Sequence, residues 1–165
     1  MMIMMLQLGV HFVFSFLASA AYAIITNVPR RSLYACGLSG ASGWMVYWIS
    51  SQIGANAALG SLLGALSVAA VSFIFSKTLK LPVTIFNIPG MVPLVPGGLA
   101  YQAVRNLVIG NYQTAIYSAV QAIMIAGAIA LGLVLSEVLN HNIRNFREKR
   151  DITSLLRQKE EQQDD

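Results

Sequence analysis

Residues 87–98 read Asn87-Ile88-Pro89-Gly90-Met91-Val92-Pro93-Leu94-Val95-Pro96-Gly97-Gly98. Three prolines and three glycines fall between Pro89 and Gly98. In a helix interior each proline costs roughly 3 kcal/mol and each glycine about 1 kcal/mol, so a continuous helix would carry a penalty on the order of 10 kcal/mol. The chain must break here. Yet the segment is apolar and lies between Lys80 and Asn111 with Arg105 as the one charge between them. Irregular backbone at membrane depth survives only where it is buried in protein or lines a wet cavity. The flanking sequence decides whether this stretch lies at such a depth.

The 165 residues are 56% hydrophobic and 11% charged, where about 25% charged is usual for a soluble domain. Residues 1–136 hold five charges, Arg30, Arg31, Lys77, Lys80 and Arg105, and all seven acids lie in 137–165. The first 136 residues therefore offer no carboxylate for an acid/base dyad or a metal site, and too few basic groups for a nucleic-acid groove. No catalytic residue, cofactor or metal is assigned, and the chain is not read as an enzyme. The charge-free runs are 1–29, 32–76, 81–104 and 106–136. One crossing needs about 20 apolar residues. Run 32–76 is long enough for two spans turning at Gln52-Ile53-Gly54-Ala55-Asn56, and each other run fits one.

The expected fold is an all-α membrane protein of five spans, the fourth broken by the Pro/Gly box. Residues 1–140 form the membrane domain and 141–165 a charged tail. Lys and Arg collect on the cytoplasmic side. Arg30 and Arg31, Lys77 and Lys80, and the six basic residues after span five then place the N-terminus outside and the C-terminus inside. The tail is expected to be partly helical near Arg144–Arg150, lying on anionic lipid, with a solvated acidic end from Glu160 to Asp165. Ala18–Ala23 has the look of a cleavage site, but no Lys or Arg precedes the apolar run as a signal peptide requires, so span one is read as retained.

Small residues recur on span two (Gly37, Gly40, Gly43), span three (Gly60, Gly64) and span five (Ala126, Gly127, Ala130, Gly132), as close helix contacts in lipid require. Trp44, Tyr47 and Trp48 read as an interfacial aromatic belt, and the single Cys36 as a packing residue. Gly37-Leu38-Ser39-Gly40 matches the G-x-S-G of intramembrane serine proteases. Such a serine needs a histidine in hydrogen-bond reach. Ser39 lies about 12 Å, and His11 about 28 Å, from the inner ends of their spans, so no dyad forms. His11 reads as a helix-contact residue, with a proton carrier as the alternative.

The break centres near Pro93, midway along residues 81–110, and so near the bilayer midplane. A half-helix starting at Gly97-Gly98 would aim open N–H groups into a cavity. The carbonyls before Pro93 and Pro96 would be free to accept, and Gly90, Gly97 and Gly98 would permit close approach, Gly97 above all. Broken midplane helices are a recurrent substrate-site device in transporters. The candidate substrate-path residues are Asn87, Pro89, Gly90, Pro93, Pro96, Gly97, Gly98, Tyr101 and Arg105. Arg105 either draws in an anionic substrate or reaches the outer headgroups.

Pro89–Gly97 followed by Tyr101 resembles the proline-glycine signature of the threonine/serine exporter family. Asn27-Val28-Pro29 with Arg31, Leu33 and Cys36 resembles the segment after span one in its small, split-subunit members. The resemblance covers about residues 8–140. It implies one membrane subunit of a two-component exporter of threonine and serine, with a larger membrane subunit as partner, in the bacterial cytoplasmic (inner) membrane. Some split pairs are associated with succinate, so a dicarboxylate exporter is one alternative. A non-transporting scaffold for the larger partner is another. A homo-oligomer is left open.

Overall fold

The structure is a computed structural model that describes the backbone of residues 2–161 and the side chains of residues 6–138. It is all-helical among the described residues: α1 (Met2–Ile25), α2 (Leu33–Gln52), α3 (Ala57–Leu79), α4 (Thr84–Met91), α5 (Gly97–Ile109) and α6 (Tyr112–Glu161). Local sequence explains the joints. Gly54, at φ 88°, turns the chain inside the long charge-free run, and Asn56 then opens α3 from extended backbone. Lys80 closes α3 in the left-handed region, as does Gly110 for α5 at φ 87°. Glycine reaches that region without the Cβ penalty.

α2 is the centre of the bundle, packing on α1, α3 and α4. It runs antiparallel to α1, since Ser19 meets Gly40 while His11 meets Trp48. Its small residues make this possible. A Cβ on Gly40 would collide with Ser19, one on Gly43 with Val68, and one on Gly64 of α3 would lie 2.9 Å from the Gly43 carbonyl oxygen. In lipid no hydrophobic drive presses helices together, so close backbone contact and buried hydroxyls take over that task. Nine serines are buried among the described residues. Several return their proton to their own helix, as Ser15 does to the His11 carbonyl at 2.7 Å and Ser61 to that of Ala57 at 2.8 Å. Two apolar cores result. One gathers Ala23, Ala35, Cys36 and Phe86, and the other Ala65, Val68, Met91, Leu94, Ile125 and Ile129. Cys36 is fully buried in the first, as a packing residue should be. Large apolar side chains of α1 and α6, such as Phe14, Leu17, Ile116 and Val134, face outward.

Three stretches are long and apolar enough to cross a membrane: Leu6–Ile25, Ala57–Leu79 and Tyr112–Val138. α2 has the length but is diluted by serine, glycine and polar aromatics, while Thr84–Leu94 is apolar but short. α6 continues unbroken through residue 140 to Glu161, about 75 Å at 1.5 Å per residue, so the charged tail begins as a continuation of that helix. The contacts expected of the tail's side chains, and residues 162–165 of its acidic end, lie outside the described residues.

Candidate functional site

The helix does break in the Pro/Gly stretch, but later than its sequence centre. α4 carries Pro89 inside it and continues to Met91, and Val92–Leu94 form a single 3₁₀ turn. Only Val95 (φ −60°, ψ 128°) and Pro96 (φ −77°, ψ 49°) leave helical geometry. Pro93 sits early in the 3₁₀ turn, where its missing N–H costs little. The expectation of free carbonyls before Pro93 and Pro96 is corrected: Val92 accepts from the Val95 N–H at 3.4 Å, and Val95 from the Gly97 N–H at 2.8 Å. Pro96 in turn accepts from Ala100 at 3.0 Å. Among the described residues the groups left open at the break are of both kinds: the Pro93 and Leu94 carbonyls receive no backbone N–H, and the first-turn N–H groups of Gly98 and Leu99 have no intrahelical acceptor in reach.

Beside this break lies a cavity of about 220 Å³. Pro93, Pro96, Gly98 and Leu99 line it from the break, Trp44 and Tyr47 from α2, Ser61 from α3 and Ile125 from α6. Leu94 fixes its level, because its methyl groups meet both Gly43 and Gly64, and Gly43 is midway along α2. No charged side chain lines it. Its polar groups are the Tyr47 hydroxyl, the Ser61 hydroxyl turned back to Ala57, the Trp44 indole and the first turn of α5. Such a site can orient a small polar molecule by hydrogen bonds and aromatic walls.

Eight of the nine candidate residues separate into three places, and the ninth, Gly97, opens α5 without lining the cavity. Pro93, Pro96 and Gly98 border the cavity. Asn87, Pro89 and Gly90 lie on α4, with Pro89 and Gly90 buried, and a Cβ on Gly90 would lie 2.6 Å from Val68 and 2.7 Å from the Ser39 hydroxyl. Asn87 is half-buried, and its Oδ1 is buried with no hydrogen-bond partner among the described residues. Tyr101, at 68% exposure, and Arg105 lie on the outward face of α5, which packs on α6 and half-buries Leu99, Ala103 and Asn106. The expected close approach holds for Gly90 alone. Gly97 and Gly98 have open space where a Cβ would stand, because α5 leaves the bundle there and meets only α6 closely.

The aromatic residues of α2 also differ from expectation. Trp48 is buried and Trp44 and Tyr47 are half-buried, so they pack inward instead of forming an outer belt. Trp44 and Tyr47 are cavity walls that sequence reasoning missed, and their i, i+3 spacing on one helix face was the available signal. The Trp44 indole N–H donates to His11 Nδ1 at 3.2 Å. Ser39 is bonded elsewhere, 2.8 Å from the Ser72 hydroxyl and 3.3 Å from the Val68 carbonyl, so the G-x-S-G stretch is a packing contact.

No solved structure matches this chain. The family described as Threonine/Serine exporter, ThrE, matches residues 11–139, a stretch that contains every helix contact and cavity wall described above. Several apolar helices, a helix broken at mid-bundle and this match agree: the chain is a multi-pass membrane protein that belongs to the threonine/serine exporter family, a family of transporters and not of enzymes.

Proposed function

We propose that this chain is the small membrane subunit of a two-component exporter of threonine, serine or a small carboxylate, resident in a bacterial cytoplasmic membrane. It crosses five times in this reading. α2 and the α4–α5 pair join the three strongly apolar helices as spans two and four, and the basic residues after span five keep the C-terminus inside. The observation that carries the proposal is the cavity of about 220 Å³ at the break. At roughly 30 Å³ per water it has room for several waters or one small amino acid. The substrate carboxylate is read as docking on the Gly98 and Leu99 N–H groups, where a helix start favours an anion. With no acid in the cavity wall, the substrate ammonium is left to Tyr47, backbone carbonyls or the larger partner.

The test is efflux of preloaded threonine from cells carrying this chain with the larger subunit. Efflux should need both. Gly98→Leu should cut it while the complex still assembles, because Gly98 borders the cavity and its Cβ position is open. Wild-type efflux from Gly98→Leu would remove the cavity from the transport path. For topology, a cysteine at Ser154 in a Cys36-free background should label only after cells are opened. Labelling from outside intact cells would overturn the five-span arrangement.

A further inference from the structure

Among the described residues, His11 is the only titratable side chain bonded to a cavity wall. Its Nδ1 accepts the Trp44 indole N–H at 3.2 Å, and Trp44 lines the cavity. The ring also packs on Trp48, with centroids 5.5 Å apart. Ser15 binds the His11 backbone carbonyl, which leaves the imidazole unaffected. The elements packed against α1 are α2, α4 and the 3₁₀ turn. α4 and the turn carry no titratable side chain, and α2 carries only Tyr34, Cys36 and Tyr47, the last stacked on Trp44 with centroids 5.3 Å apart. No charged side chain lies on any of these elements.

An indole N–H can only donate, and an imidazole nitrogen can accept only when it carries no proton. A Trp44 N–H to Nδ1 bond therefore requires neutral His11 with its proton on Nε2. A second proton, taken from water at Nδ1, turns the ring into a double donor and sets N–H against N–H. The bond to Trp44 is lost, and the imidazolium is drawn instead to indole faces.

We propose that His11 is a proton-sensitive positioning residue for export: neutral His11 holds the Trp44 cavity wall in place, and protonated His11 releases it. This rests on the reading of the cavity as the transport path. The sign follows directly. The wall is held at the alkaline end and freed as pH falls.

Trp44 and Trp48 are the only tryptophans in the chain, so emission reports on this contact without added probes. In Trp48→Phe protein reconstituted in vesicles, Trp44 emission should follow a one-proton curve as the pH is stepped from alkaline to acid. Adding His11→Gln should flatten it, because the amide oxygen still accepts from Trp44 but takes no proton. Threonine efflux should vary about fivefold over the same range in the wild type and less than about 1.5-fold in His11→Gln. Flat Trp44 emission in the histidine protein overturns the proposal, and so does an identical pH profile of efflux in wild type and His11→Gln. If Trp48→Phe does not fold, the wild type and His11→Gln are compared on both tryptophans, with the same two outcomes decisive. Unimpaired efflux by Gly98→Leu would instead overturn the cavity reading and the export role built on it, whatever the emission shows.

Discussion

Glycines 40, 43, 64 and 90 and glycines 97 and 98 are the same residue in two opposite situations. At the first four, an added Cβ would run into Ser19, Val68, the Gly43 carbonyl or Ser39. At the last two it would meet nothing within 4 Å. In the bundle centre, glycine is there because another helix occupies the space a side chain would need. At the start of α5, glycine leaves space empty, and Gly98 borders the cavity. A glycine-rich stretch in a membrane protein can therefore encode contact or vacancy, and only the neighbours tell which.

Substitutions that fill each kind of space sharpen this contrast. Gly64→Ala sets a methyl group 2.9 Å from a backbone oxygen that cannot swing away, so it should destabilise the bundle by about 1–3 kcal/mol, measured as a lower thermal midpoint in detergent. Gly98→Leu should leave that midpoint in place and slow threonine efflux about tenfold, equivalent to about 1.4 kcal/mol. A lowered midpoint there would place Gly98 with the packing glycines. Ser72→Ala removes the hydroxyl 2.8 Å from Ser39, which keeps its bond to Val68. The loss should be about 1 kcal/mol, read from the same melting curve, with efflux unchanged. Gly97→Leu should be the mildest, within about 0.5 kcal/mol in stability and without effect on efflux. Strong inhibition by Gly97→Leu would mean that something outside this chain covers the start of α5.

Much of the fold was legible in one dimension. The turn at Gln52–Asn56 stood out as the polar interruption of a long apolar run, and the structure turns there at Gly54. The Pro/Gly stretch announced a broken helix because its penalty is a local sum that no tertiary packing can hide. Its placement was less legible. Pro89 is tolerated inside α4 and Pro93 early in a 3₁₀ turn, so the actual interruption falls at Val95–Pro96. Depth along two spans excludes a dyad of Ser39 with His11, and the structure places His11 in contact with α2. Its partner Trp44 could not be named, because that pairing joins residues 33 positions apart.

The sequence by itself determined that this chain is helical, apolar, without carboxylates before its last segment, and interrupted between Pro89 and Gly98. These are properties of residue type and spacing along the chain. Tertiary structure alone decided which glycines are crowded and which are open, that Trp44 and Tyr47 turn inward to wall a cavity, and that Tyr101 and Arg105 face out. Each of those depends on the rotation of one helix against another. That rotation is set by which small residues let two backbones meet, and a list of small residues does not say which pairs do.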